Sequence, residues 1–180
     1  MTVDGLDSRQ YHPHQLRDVF RFVGQDAEVF SGTVRDNLML GAAQADDRQL
    51  IDAVVRSGAD IFLSRDAAGF DLQVGERGSK LSGGQRSLLV LARALVRPAK
   101  MLFLDEPTGS LDTQTELYFI EHLKTAIGPE QTLIVATHRH NMLSILDRLI
   151  VIDAGRIIAD GPRDQVLATL QNSVKAGEKK

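Results

Sequence analysis

Residues 78–112 read GSKLSGGQRSLLVLARALVRPAKMLFLDEPTGSLD, and their interpretation decides the fold. Ser82 is a good helix N-cap, and Gly83 and Gly84 leave backbone N–H groups uncovered at a helix start. There the positive end of the helix dipole favours an anion, such as a phosphate. The helix runs through Leu88, Leu89, Val90, Leu91, Ala92, Ala94, Leu95 and Val96 to Pro98, apolar on most sides and therefore expected to be buried. Arg86, Arg93 and Arg97 form its polar stripe. Met101-Leu102-Phe103-Leu104 then reads as a strand covered on both faces in a parallel sheet. Asp105 and Glu106 fall at its carboxyl end, where open α/β sheets bind ligands and where carboxylates suit Mg²⁺ coordination and water activation.

Leu81-Ser82-Gly83-Gly84-Gln85, Leu104-Asp105-Glu106-Pro107-Thr108 and Ser110-Leu111-Asp112 resemble the signature motif, Walker B motif and D-loop of ATP-binding cassette (ABC) ATPases. The three together at this spacing are far more specific than LSGGQ alone. The resemblance implies a P-loop NTPase-like α/β fold, a parallel sheet flanked by helices with an inserted helical subdomain. It also implies ATP and Mg²⁺ as ligands. The expected division is sheet core over 1–31 and 99–172, helical signature subdomain over 32–98, and a tail over 173–180.

The bulk properties fit that picture. A length of 180 residues suits one domain, and 43% hydrophobic residues can build a core. The net charge of −3 with interspersed signs excludes a basic field for nucleic acid. Without cysteine there are no disulfides, which suits a cytosolic setting. No apolar run approaches the roughly 20 residues that span a bilayer, and the first residues do not form a signal peptide. The chain itself is expected to be soluble, with a frayed Lys-rich end over 175–180.

Along the first half, Asp4-Gly5 reads as a turn and Gln15 to Asp18 as a helical turn. His12 and His14 flank Pro13 without further ligands, so a surface role outweighs a metal site. Residues 19–23 alternate like a strand and deliver Gln25 to the ligand edge. By resemblance Gln25 is the Q-loop glutamine, touching Mg²⁺ and the attacking water and relaying nucleotide state to a membrane partner. Ser31 or Thr33 caps the next helix, and VFSGTVRDNLMLG looks like ABC exporters in particular. A helix follows over 46–57 with Leu50, Ile51, Val54 and Val55 inward and Gly58 as its stop, then a short one over 60–63. Residues 73–78 form a glycine-rich turn around Glu76-Arg77. The turn resembles the exporter X-loop, which contacts cytoplasmic loops of the membrane domain; a surface turn with a weak ion pair is the plainer reading.

In the second half, Asp112 caps a helix over 113–127 with Leu117, Ile120 and Leu123 inward. Residues 132–136 read as a second buried strand, carrying Thr137 and His138 to the ligand edge. By resemblance His138 is the switch histidine that contacts the terminal phosphate. Strands over 148–152 and 156–159 flank the turn at 153–155, and Pro162 opens a helix ending near Leu170. This last segment resembles bacterial type I secretion exporters, so the likeness covers nearly the whole chain.

One family element is absent from the 180 residues: the G-x-x-x-x-G-K-[ST] loop whose amides and lysine hold the phosphates. The resemblance places that loop, its strand and an adenine-stacking aromatic upstream of Met1. Hydrolysis by this chain alone is therefore not expected, because positioning and electrostatics carry phosphoryl transfer. Ser82, Gly83, Gly84 and Gln85 could still cap ATP held by a second ABC ATPase domain.

Two readings follow. In the first, the chain is part of an exporter ATPase at the cytoplasmic face of the cell membrane, bound to a transmembrane permease domain. Glu106 is then the general base, Asp105 and Gln25 the Mg²⁺ contacts, His138 the γ-phosphate sensor and Asp112 a cross-dimer link. In the second, a non-catalytic module donates its LSGGQ face to a partner. Helix capping is the bland alternative for Asp105-Glu106, and a DNA-maintenance ATPase is disfavoured by the lack of coiled-coil heptads.

Overall fold

The computed structural model describes the backbone of Thr2, Val3 and residues 5–177, with side chains through residue 172. Met1, Asp4 and residues 178–180 lie outside the described residues, and with them half of the expected 4–5 turn. The chain divides into two compact units, 1–139 and 140–180.

The first unit opens with a small antiparallel pair, β1 (Thr2–Val3) and β2 (Leu6–Asp7). Helix α1 (Pro13–Val19) has Pro13 in its first turn, and the His12 ring accepts from the His14 N–H. His12 is thus a cap, and its ring stacks on His14. Strand β3 (Phe20–Val23) follows. Then come α2 (Val34–Met39), capped by Thr33, and α3 (Asp47–Ser57), capped by Asp46 and stopped at Gly58 in the left-handed region. Short α4 (Asp60–Leu63) precedes α5 (Gly83–Leu95), which packs against α2, α3, β3 and α6. Strand β4 (Met101–Asp105), α6 (Thr113–Ala126) and β5 (Thr132–Ala136) complete the unit.

Strands β3, β4 and β5 form a parallel sheet in the order β3-β4-β5, as a strand–helix–strand pattern requires. The middle position of β4 holds Asp105 level with Ala136. Leu102 and Leu104 are buried, whereas Met101 and Phe103 are half-exposed. Sheet burial is therefore one-sided, not two-sided as expected. Register explains it: Phe22, Phe103 and Ile134 lie in one row across the three strands, and Phe22 is 72% and Ile134 41% exposed. The expected buried strand at 132–136 alternates between half-buried and exposed positions for the same reason.

Several further expectations change. Ile51 and Val55 face solvent on α3, and the inward positions are Leu50, Ala53, Val54 and Ser57. A face spaced at three and four residues is narrower than the sequence suggested. On α6, Leu117 is exposed while Glu116, Phe119, Ile120, Leu123 and Ala126 are buried. Arg77 pairs with Glu28 at 3.6 Å rather than with its neighbour Glu76, because adjacent side chains in a tight turn diverge. Arg77 itself adopts φ 49°.

In the second unit, β6 (Arg148–Asp153) and β7 (Arg156–Pro162) form an antiparallel hairpin closed by Ala154 and Gly155, both with positive φ. Helix α7 (Arg163–Gly177) packs on the hairpin. Pro162 closes β7 instead of opening the helix, and α7 continues beyond Leu170 through residues expected to be a tail. As a terminal strand residue, Pro162 gives up no ladder N–H. No described helix is long and apolar enough to cross a membrane.

Candidate functional site

The start of α5 is built as the sequence suggests. Ser82 Oγ accepts from the Gln85 N–H at 3.2 Å, and Gln85 Oε1 accepts from the Ser82 N–H at 2.8 Å. This capping box spends the Gln85 side chain on the helix end. The first-turn N–H groups of Gly83 and Gly84 lie outside the helical ladder. Arg86 donates to the Leu81 carbonyl at 2.9 Å and to the Gly78 carbonyl at 3.4 Å, tying the preceding turn to the helix.

The two glycines have different reasons to be bare. A Cβ on Gly84 would lie 2.5 Å from Thr115 Cγ2, so close packing of the α5 and α6 starts demands glycine there. A Cβ on Gly83 would meet nothing nearer than 3.9 Å. Packing does not require Gly83 to be bare, and its backbone remains approachable from outside.

At the end of β4, Glu106 adopts φ 47°, a left-handed conformation uncommon for a residue with a side chain. Its N–H donates to the Ala136 carbonyl at 2.9 Å, extending the link to β5 past the last paired residues. His138 Nδ1 stands 2.7 Å from Glu106 Oε1. The Glu106 side chain is 20% exposed, and its Oε2 is buried without a hydrogen-bond partner. A carboxylate with one oxygen held by an imidazole and the other unengaged can take a proton from, or orient, a water molecule.

Glu106, Gln25, Gly83, Arg86, Ser87 and Ser110 are among the residues lining a cleft of about 310 Å³. The structure therefore joins Gln25, Glu106 and the first signature glycine, with His138 attached through Glu106. Asp105 is not among the lining residues, and Asp112 stands apart at the α6 start. Asp112 accepts from the Thr115 hydroxyl at 2.6 Å and the Thr115 N–H at 3.0 Å. These bonds hold its carboxyl below the ordinary carboxylate range. Among the described residues no group of three metal-binding side chains converges. For Mg²⁺ that is compatible with binding chiefly through nucleotide oxygens and one or two protein groups. The unengaged Oε2 of Glu106 is the observation that fits a cation or its bound water.

Sequence reading missed three residues behind this edge. Thr108 and Glu116 are fully buried and joined at 3.1 Å, and Arg139 reaches both Glu116 and the turn after Glu106. Thr108 stood at the end of the 104–108 motif with no role of its own, and only the adjacency of Arg139 to His138, and of Glu116 to a helix start, hinted at the other two.

The family described as ABC transporter matches residues 1–109, and the chain belongs to that family. It is part of an ABC ATPase domain, with the P-loop NTPase fold. A sequence relative is the uncharacterized ABC transporter ATP-binding protein YknV of Bacillus subtilis (strain 168), 40% identical over 168 residues. Another is the lactococcin transport/processing ATP-binding protein LcnC-like of Lactococcus lactis subsp. lactis, 35% identical over 169 residues. Each alignment covers 93% of this chain, but only 28% and 23% of those proteins. Among solved structures, a bacterial Atm1-family ABC exporter with ATP bound superposes with a TM-score of 0.84 at 31% identity. That match covers 93% of this chain and 30% of the exporter chain.

Proposed function

We propose that the chain is the signature-and-Walker-B portion of an exporter ATPase that couples ATP hydrolysis to transport across a membrane. The observation that carries this reading is the single cleft holding Gln25, Glu106 and Gly83, with His138 2.7 Å from Glu106. Glu106 polarises the attacking water, and His138 fixes the Glu106 carboxylate and reads the terminal phosphate. Asp105 and Gln25 would hold Mg²⁺ together with nucleotide oxygens, and the ion when bound would supply charge neutralisation on the phosphates. Gly83 and Gly84 present their backbone N–H groups, and Ser82 its hydroxyl, to ATP carried by a second ABC ATPase domain, while Gln85 fixes this helix start through the capping box. Asp112 faces that same partner.

A permease partner also has a candidate surface. A groove of about 1110 Å³ in the first unit is lined in part by Phe20, Phe22, Phe30, Leu40 and Arg93. Phe30 and Leu40 are 55% and 61% exposed, more apolar surface than a solvated loop needs. Docking there would place the chain at the cytoplasmic face of the membrane through the permease domain.

The second reading, a non-catalytic donor of the LSGGQ face, is favoured by one observation: a Cβ on Gly83 would meet nothing nearer than 3.9 Å, so the signature backbone is open to a partner. Titrating the chain with labelled ATP and Mg²⁺ separates the two. Micromolar, Mg²⁺-dependent binding with turnover abolished by Glu106→Gln supports the catalytic reading. Turnover only on adding a complete ABC ATPase domain supports the donor reading, and no nucleotide dependence in either setting overturns both.

A further inference from the structure

Arg139 follows His138 directly, yet its guanidinium turns away from the cleft. Its Nη2 donates to the Gly109 carbonyl at 2.8 Å and to the Leu111 carbonyl at 3.2 Å. Its Nη1 lies 3.8 Å from Glu116 Oε2, a carboxyl whose side chain is 1% exposed. The Thr108 hydroxyl, itself fully buried, donates to the other Glu116 oxygen at 3.1 Å. A carboxyl so buried is tolerated only with such partners. Thr108 and Arg139 come from the two segments that flank the site.

Those segments are the end of β5 and the turn from Glu106 to Leu111. The turn closes on itself through Gly109 N–H to Glu106 carbonyl at 3.1 Å and Leu111 N–H to Thr108 carbonyl at 3.0 Å. Asp112 follows immediately as the α6 cap, and Glu116 lies one turn further along that helix. The β5 end is anchored in return by the Arg139 N–H, which donates to Thr137 Oγ1 at 3.0 Å. One planar fork thus bridges two carbonyls and a buried carboxyl, an arrangement that an ammonium cannot reproduce.

We infer that Arg139 is a positioning residue that locks the turn carrying Asp112 to the strand end carrying His138, so that the two functional groups shift together. The inference rests on the roles proposed above for His138 and Asp112 and assigns no ligand to the clasp itself.

The test uses the full 180-residue chain with Arg139→Ala, Arg139→Lys and Glu116→Gln, read by NMR. In Arg139→Ala the Gly109 and Leu111 amides exchange at least about tenfold faster while the Leu89 and Leu91 amides of α5 keep their rates, the pattern of local opening. Arg139→Lys retains the charge but restores little of the protection. In Glu116→Gln the His138 ring resonances move, because loosening the clasp shifts the strand end that carries His138. If Arg139→Ala does not fold, the other two substitutions carry the test. Equal acceleration in α5 and the turn, full protection in Arg139→Lys, or unmoved His138 resonances in Glu116→Gln would overturn the inference. Labelled-ATP titration of the same unsubstituted sample, with and without a complete ABC ATPase domain, keeps the readings separate: no nucleotide dependence in either setting removes the nucleotide role, while the exchange rates still decide the clasp.

Discussion

Gly83 and Gly84 are neighbours in one helical turn, yet their surroundings predict opposite responses to the same substitution. Gly84→Ala drives a methyl into Thr115 and should cost about 1–3 kcal/mol, as overpacking does. Gly83→Ala meets open space and should leave stability unchanged or raise it by up to about 1 kcal/mol through helix propensity. Thermal denaturation of the two variants checks the contrast. If Gly83 is kept bare for a phosphate, its alanine variant loses nucleotide-dependent pairing while staying folded. Glu106 belongs to the same scale. Its left-handed backbone costs roughly 1–2 kcal/mol, and the bonds to Ala136 and His138 hold it there. Glu106→Gln keeps the shape and removes the carboxylate, so on the catalytic reading it should abolish turnover, and on either reading it should change the melting temperature little.

At the scale of elements, helix ends carry most of the specification. Asp36 completes the capping box of α2 and Asp112 caps α6, and their carboxyls are held below the ordinary range by hydrogen bonds from Thr33 and Thr115 respectively. Because the unfolded chain binds protons more readily at these sites, the stabilisation is present above the ordinary carboxylate pKa and lost as pH falls. Melting temperature should therefore drop below about pH 4, and the combined Asp36→Asn and Asp112→Asn variant should show a flatter profile. Gly58 ends α3 at φ 78°, and a Cβ there would lie 2.8 Å from both His122 and Tyr118. Gly58→Ala should cost at least about 1–2 kcal/mol from the backbone alone, measurable by urea denaturation.

Across the whole molecule, the parallel sheet has one covered face and one bare one. Phe22, Phe103 and Ile134 form an apolar row on the bare side, and β3 and β5 are edge strands of their sheet. Both features favour association. The chain is expected to self-associate at micromolar concentration, and Phe22→Lys with Ile134→Lys should shift it toward monomer in sedimentation without lowering its melting temperature. These strands were readable from their apolar runs, but a short run looks the same whether one face or both are covered. Leu117, Ile51 and Val55 were misplaced for a related reason: hydropathy marks a residue as able to be buried, while the neighbouring element decides whether it is.

The sequence alone determined what local chemistry can specify: Ser82, Asp112 and Thr33 as caps, Gly58 as a stop, the acids at a strand end, and membership in a family whose motifs are short and contiguous. Tertiary structure decided everything that depends on groups distant in sequence. It set His138 against Glu106 across 32 residues, placed Gly84 against Thr115, and buried Glu116 under Arg139. Hydrogen bonds within a turn are encoded by neighbours a few residues apart, whereas the partners of a strand end are fixed only once the sheet has chosen its register.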